Sequence, residues 1–401
     1  MRATNGTPAQ ASSRSLLPAI SVAIPILIFA ITFIALLLAV AETFGLSARQ
    51  TSTLIVTSYG VSSLLSLAMT AVYRQPLFLI WSSTGLVFMA SLADVYAYSE
   101  MLGATFIAGV AVLILGVLGL SSWLARLVPV SIVFGLLAGM VMPFVVQIFT
   151  DMDAEPFIVG ATVAAYFLAR RLLPARIPPL LPALIVGVIV TAMVGDLHRL
   201  SSDWTLPSIV IMRPHFTWQA IVTVSPVLVV LTMALANLSA VGYLRSQAYD
   251  PPERMIDITS GICTMLSAFV APVPVNMGYF VTPLTAGPDA GAHHQRHWSV
   301  YVTSGGLLLV ALTASLAGAI PSAIPRVLLF AVAGLALISV LSSALAEMVK
   351  GPLRLGPLFA FVVASSELSL GGFGSAFWAL VIGMGVTLVL ERDEWRAVRS
   401  E

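Results

Sequence analysis

Charge is scarce in this sequence. Only 9% of its 401 residues are Asp, Glu, Lys or Arg, against 59% apolar, where soluble domains carry about 25% charged residues. That deficit excludes a soluble globular chain and leaves a polytopic membrane protein whose first partner is the lipid bilayer. Basic excess is missing as well. The formal net charge is +1, so no nucleic-acid partner is expected, because phosphate binding needs clustered Lys and Arg. The single cysteine, Cys263, lies inside an apolar run and reads as a small core residue with no intramolecular disulfide available. No P-loop for ATP and no GxSxG elbow for a hydrolase occurs. His293, His294 and His297 cluster in AGAHHQRHW, but no Cys or carboxylate pattern completes a zinc-type set. No cofactor, no metal and no enzymatic activity are therefore expected, since no acid, base and nucleophile share one membrane depth.

What the chain has is apolar length. Windows of about 19 residues, bounded by charge, Pro and Gly, give Leu16–Ala41, Thr51–Tyr73, the short Pro76–Leu92, Met101–Leu120, Val128–Phe149, Pro156–Ala169 and Leu180–Val194. A polar interval, Gly195–Thr217, follows. Beyond it come Trp218–Tyr243, Met255–Val270, Ala271–Gly287, Trp298–Ile320, Ile324–Met348, Leu355–Ser366 and Gly372–Leu390. The expected fold class is an all-α polytopic membrane protein with 14 transmembrane spans in two seven-span repeats, residues 1–200 and 216–391. An odd number per half makes the repeat inverted. With the polar first residues read as an uncleaved cytoplasmic lead, fifteen of the nineteen Lys and Arg fall inside. Only Arg49, Arg199, Arg213 and Arg326 fall outside, as the positive-inside rule requires. Both termini are then cytoplasmic.

Two segments depart from the pattern: Ala271–Gly287, APVPVNMGYFVTPLTAG, and Arg74–Ala90, RQPLFLIWSSTGLVFMA. An unbroken helix needs roughly 20 apolar residues to cross about 30 Å of hydrocarbon, and Pro, Gly and hydroxyl residues interrupt both. Paired interruptions in corresponding positions of two halves point to a transporter's binding site. No ionisable residue sits near the centre of any span. Glu42, Asp257, Glu347 and Glu367 come nearest to membrane depth, and each alone reads as an interfacial group. Asp257 has the stronger claim, because it leads toward the Ala271–Gly287 segment.

The polar groups within apolar runs are neutral: Ser82, Ser83 and Thr84 before Gly85; Thr232, Asn237 and Ser239; Asn276, Tyr279, Thr282 and Thr285. Each alone reads as helix–helix glue, but an amide in hydrocarbon must find a partner. If the two broken segments are half-helices meeting at the midplane, their N-termini hold an anion with no basic side chain. Phe78, Trp81, Phe88, Tyr279 and Phe280 would then wall an apolar body.

At these residues the chain resembles a family. RQPLFLIWSSTG is similar to the R-x-P…W-S-T-P-G segment of the benzoate:proton symporter family. ANLSAVGYLRSQAYDPP resembles its Q-N-L-P-G-x-x-x-L-R-x-x-G-Y-x-P-P segment, and APVPVNMGYFVTPLTAGPDA its P-F-G-G-x-x-V-N-x-x-x-x-T…G-P-E-A segment. Ala236 stands where that family has Gln, no Pro precedes Gly85, and Pro272–Val273–Pro274 replaces a Gly-rich turn.

The resemblance implies the fold shared with nucleobase permeases and sulfate-type anion transporters, with short extended pieces in the two broken spans. It implies a core domain at about 15–120 plus 216–320 and a gate domain at about 127–200 plus 322–391, through which homodimers form. By position, Ser82, Ser83, Asn237, Asn276 and Gly278 line the substrate site, with Gly85 and Tyr279 beside them. The nucleobase branch has acidic residues where Ala236 and Val275 stand here, which disfavours a nucleobase. The expectation is secondary active transport of a small organic anion, a benzoate-like aromatic or other monocarboxylate. A proton would be the coupling partner through Asp257 or Glu42, alternating access elevator-like, and the location a bacterial-type inner membrane. The alternative is an anion channel or uniporter of the same fold, since no carboxylate sits centrally.

Overall fold

The computed structural model describes residues 16–174, 177–198, 204–366 and 368–400. The polar lead with Arg2 and Arg14, together with Arg176, Arg199, Asp203 and Glu367, lies outside the described residues. In a bilayer each backbone N–H and C=O needs an internal partner, so an apolar chain of this composition folds as helices. In order they are α1 (Leu17–Thr43), α2 (Ala48–Tyr73), the strand β1 (Leu79–Trp81), α3 (Ser83–Ala90), α4 (Tyr98–Leu118), α5 (Ser121–Leu127), α6 (Val130–Ala154), α7 (Pro156–Leu172) and α8 (Leu180–Val194). After the polar interval come α9 (Trp218–Ser246), α10 (Glu253–Ser267), the strand β2 (Val275–Met277), α11 (Thr282–Ala286), α12 (His297–Leu312), α13 (Ala314–Ala319), α14 (Arg326–Met348), α15 (Leu355–Ala364), α16 (Ser375–Leu390) and α17 (Arg392–Ser400).

The protein is thus a mostly helical membrane protein. Among the described residues six helices, α1, α2, α4, α6, α9 and α14, are long and apolar enough to cross a membrane. A seventh is counted when α12 and α13, bent by 47°, are taken as one span; the sequence window Trp298–Ile320 runs straight across that bend. Two of the long helices carry a π turn, α2 at Thr57–Val61 and α9 at Leu231–Asn237. Such turns occur mostly at functional sites, and both lie against the strands.

Close helix contact is made through glycine. A Cβ on Gly109 of α4 would lie 2.4 Å from the Met265 nitrogen of α10, and one on Gly261 of α10 would lie 2.5 Å from the Leu113 nitrogen of α4. Small residues at membrane helix interfaces allow this backbone approach. It holds α10 against α4 and, with α9, frames one side of the strand pair.

Candidate functional site

The strands form a two-stranded antiparallel ribbon, with Leu79 opposite Met277, Ile80 opposite Asn276 and Trp81 opposite Val275. At its ends Gly278 N–H donates to Phe78 O (2.9 Å) and Ser82 N–H to Pro274 O (2.8 Å). So short a ribbon survives among apolar helices only if its outer edges are also satisfied. On the β1 edge one hydroxyl does both tasks: Ser66 Oγ accepts from Leu79 N–H (2.8 Å) and donates to Leu79 O (2.6 Å). On the β2 edge Thr264 Oγ1 accepts from Val275 N–H (2.9 Å) and Asn237 Oδ1 from Met277 N–H (2.8 Å). Ser66, Thr264 and Asn237 sit on α2, α10 and α9, so three helices anchor six strand residues.

Beyond β1 the chain enters α3. Ser82 is its N-cap, extended at φ −80°, ψ 99°, with Oγ accepting from Gly85 N–H at 3.1 Å. That satisfies one of the donors a helix start leaves open. The N–H groups of Ser83 and Thr84 find no acceptor among the described residues. The contrast lies in the same molecule, at the start of α15. There the buried carboxylate of Glu391 accepts from the N–H groups of Arg354, Leu355 and Gly356 at 2.5, 2.7 and 2.8 Å. An anion fills one helix start; the other faces a recess.

That recess is walled by Phe29, Phe33, Tyr59, Ile80, Trp81 and Phe280 and takes in Ser83, with about 320 Å³ of space including its open mouth. The rings pack on one another: Phe29 to Phe33 at 4.1 Å, Phe29 to Phe280 at 5.9 Å, and Tyr59 edge-on to Trp81 at 5.9 Å between centroids. Tyr59 donates its hydroxyl to Ala30 O (2.6 Å). The indole N–H of Trp81, beside Tyr59, is buried without a full hydrogen bond. Asn276 stands directly across from Ile80, so its carboxamide leaves the same ribbon face; it makes no hydrogen bond among the described residues. The result is an apolar, aromatic slot with a few unpaired donors, the usual composition of a small-molecule site.

The residues named from sequence divide into those facing the recess and those facing away. Ser83 lines the recess, and Asn276, on the ribbon face of Ile80, has a side chain with no hydrogen-bond partner among the described residues. Ser82 is committed to the cap and to Thr84 Oγ1 at 3.1 Å. Gly85 sits under Ser82 and Pro274, where a Cβ would meet both at 3.1 Å, and a Cβ on Gly278 would meet the Phe78 ring at 3.0 Å. Tyr279 turns to a second apolar cluster with Met69, Leu79 and Met277, and Phe280 takes the place at the wall. Phe78 and Phe88 are core residues. Asn237 donates Nδ2 to Asp257 Oδ1 at 2.8 Å and to Ser260 Oγ at 3.2 Å, so its amide is wholly engaged within the protein. Asp257 lies behind the ribbon, while Glu42, in the last turn of α1, faces Arg326 of α14 at 3.9 Å. Phe29, Phe33 and Tyr59 were not anticipated; the one sequence signal for them is the aromatic pair at helical spacing in α1.

This arrangement belongs to a known class of membrane proteins. A structure of SLC26A9 superimposes with a TM-score of 0.62 at 11% identity over 92% of this chain, which spans 64% of that chain's length. The transmembrane domain of BicA, a cyanobacterial bicarbonate transporter, does so with a TM-score of 0.56 at 15% identity, over 92% of this chain and 96% of that one. The fold is therefore that of the SLC26-type anion transporters. More specifically, residues 12–389 match the family described as benzoate membrane transport protein, and the chain belongs to it. Two relatives agree. The inner membrane protein YdcO of Escherichia coli is 25% identical over 82% of this chain and 84% of its own. The benzoate membrane transport protein of Acinetobacter baylyi is 23% identical over 79% and 81%. The protein is an integral membrane protein of a transporter family, not an enzyme.

Proposed function

We propose that this protein is a secondary active transporter of a small aromatic monocarboxylate, benzoate or a near analogue, taken up with a proton. The observation that carries the reading is the recess: an aromatic slot ending on a helix start whose Ser83 and Thr84 N–H groups have no acceptor among the described residues. The ring of the substrate packs between Phe29, Phe33, Trp81 and Phe280. Its carboxylate sits at Ser83 and Thr84 N–H, within reach of the Ser83 hydroxyl, the Asn276 amide and the Trp81 indole N–H. A helix N-terminus contributes about 0.3–1 kcal/mol to an anion, up to about 2 when partly buried. Removing roughly 120 Å² of ring surface from water contributes about 3 kcal/mol. The ring therefore dominates affinity, and the donors set orientation and charge preference. Ser82, Gly85, Gly278 and Asn237 position this site rather than touch the substrate, and Tyr279 supports the ribbon from behind.

The wider reading follows the same lines. β1 with α3 and β2 with α11 are two broken segments within fourteen, in inverted repeats. The core domain, about 15–120 plus 216–320, carries the recess past a gate domain, about 127–200 plus 322–391, that forms the homodimer. Both termini face the cytoplasm of a bacterial inner membrane, which the skewed loop charge supports. The competing mechanism, a channel or uniporter, draws on one observation: among the described residues no carboxylate lines the recess.

Purified protein in liposomes tests the proposal. Radiolabelled benzoate should accumulate above equilibrium under an imposed inward proton gradient. Equal uptake with and without the gradient would select the uniporter. A thermal-shift screen in which sulfate or uracil stabilises the protein and aromatic carboxylates do not would overturn the substrate assignment.

A further inference from the structure

One buried carboxylate stands outside the recess. Asp257, on the second turn of α10, is 1% exposed, and no Lys, Arg or His lies within ion-pair distance of it among the described residues. Both oxygens are instead held by neutral groups, Oδ1 by Asn237 Nδ2 at 2.8 Å and Oδ2 by the Ser121 hydroxyl. On its own helix, Glu253 is paired with Arg245 at 2.8 Å, and the guanidinium of Arg254 lies over Gly119, just past α4. The elements packed on Asp257 present neutral groups to it: α4 brings Gly116, α9 brings Asn237, and β2 brings only the backbone that Asn237 holds. A buried carboxylate held by neutral partners alone is a functional-site candidate.

Its two partners lead in different directions. Asn237 passes the contact on: while Nδ2 donates to Asp257, Oδ1 accepts from Met277 N–H at 2.8 Å, beside Asn276. Ser121 is the first residue of α5, the short helix that joins α4 to α6 and rests on the π turn of α9. We propose that Asp257 is the proton-carrying group of the transport cycle, and that its charge is sensed at strand β2 through Asn237 and at the α4–α6 link through Ser121.

The chemistry is a reversal of donors. Ionised, Asp257 accepts from both partners in charge-assisted bonds, about twice as strong as neutral ones. A proton arriving from the aqueous phase binds Oδ2. Oδ1 still accepts from Asn237, but in a neutral and weaker bond, so the ribbon keeps its register while its β2 edge is held less firmly. Ser121 must turn from donor to acceptor, and its bond becomes a neutral one. The proton therefore loosens the link between α4 and α6 and, more weakly, the hold on β2, and its departure on the other side restores both. This inference rests on the transport reading for its cycle, but the sensing device does not depend on which anion is carried.

Asp257→Asn keeps the shape of the side chain and carries no exchangeable charge. In proteoliposomes, gradient-driven accumulation of radiolabelled benzoate should fall to the equilibrium level, while exchange of labelled for unlabelled benzoate persists. Accumulation equal to wild type would sink the proposal. Should the variant lose exchange too, Ser121→Ala decides. Removing a bond to the charged form should move the pH midpoint of uptake upward by about one unit, and a superimposable pH profile would reduce Asp257 to packing. If the wild type carries no aromatic carboxylate, the substrate reading fails and amide hydrogen exchange on ligand-free protein judges this one. Protection of Val275–Met277, corrected for intrinsic rate, should vary with pH in wild type and not in Asp257→Asn; equal behaviour in both would refute the device.

Discussion

The two strands of the ribbon have the same length and opposite roles. β1 leads directly into α3, an eight-residue helix whose cap is Ser82 and whose next two N–H groups have no acceptor among the described residues. β2 leads into a turn at Gly278, whose carbonyl takes Val281 N–H at 2.9 Å, Thr282 N–H at 2.7 Å and the Thr282 hydroxyl at 2.9 Å. The five residues of α11 follow, with Pro283, which has no N–H, near their start. Sequence reasoning expects two equivalent half-helices facing each other. The structure has one open helix start and one closed turn, so the first half supplies donors. The second supplies the Phe280 wall, Asn276 and, behind the ribbon, the path to Asp257. The difference is local chemistry: Ser-Ser-Thr-Gly caps a helix with one hydroxyl and leaves the N–H groups of Ser83 and Thr84 open, whereas in Gly-Tyr-Phe-Val-Thr-Pro the N–H groups of Tyr279, Val281 and Thr282 are spent on the carbonyls of Met277 and Gly278.

The asymmetry can be broken at the edges first. Ser66→Ala should have the largest effect, because it leaves both Leu79 N–H and Leu79 O unsatisfied, at about 1–3 kcal/mol each. Thermal unfolding in detergent reads it. Thr264→Val strands only the Val275 N–H and should cost about half as much; a cost equal to that of Ser66→Ala would show that the two edges are held alike. Ser82→Ala removes the α3 cap, about 1 kcal/mol, and should weaken benzoate binding measured by calorimetry. Thr282→Ala closes the series with the smallest effect. Its hydroxyl is spent on the Gly278 carbonyl, so benzoate affinity should stay unchanged, and a loss as large as that of Ser82→Ala would restore the symmetric picture.

Part of this was legible before folding. Pro76, the Pro272–Pro274 pair and Gly278 marked where helices would stop, because those residues act within a few positions of themselves. The neutral polar residues around them were equally visible. Their directions were not. Tyr279 and Phe280 are neighbours, and only the turn at Gly278 sends one to the apolar cluster and the other to the recess. Asn237 and Asn276 look alike in sequence, yet the Asn237 side chain is bound to Met277 and Asp257 while that of Asn276 has no partner among the described residues. The π turn that places Tyr59 at the recess has no composition of its own.

What the sequence determined by itself is the class of environment: an apolar, charge-poor chain must cross a bilayer as helices, because hydropathy and backbone satisfaction are summed over adjacent residues. Tertiary structure decided which polar groups are spent and which are left. A hydrogen bond at membrane depth, whether Ser66 on Leu79, Asn237 on Met277 or Ser121 on Asp257, exists only when separate segments are brought within about 3 Å of each other, and no local pattern records that meeting.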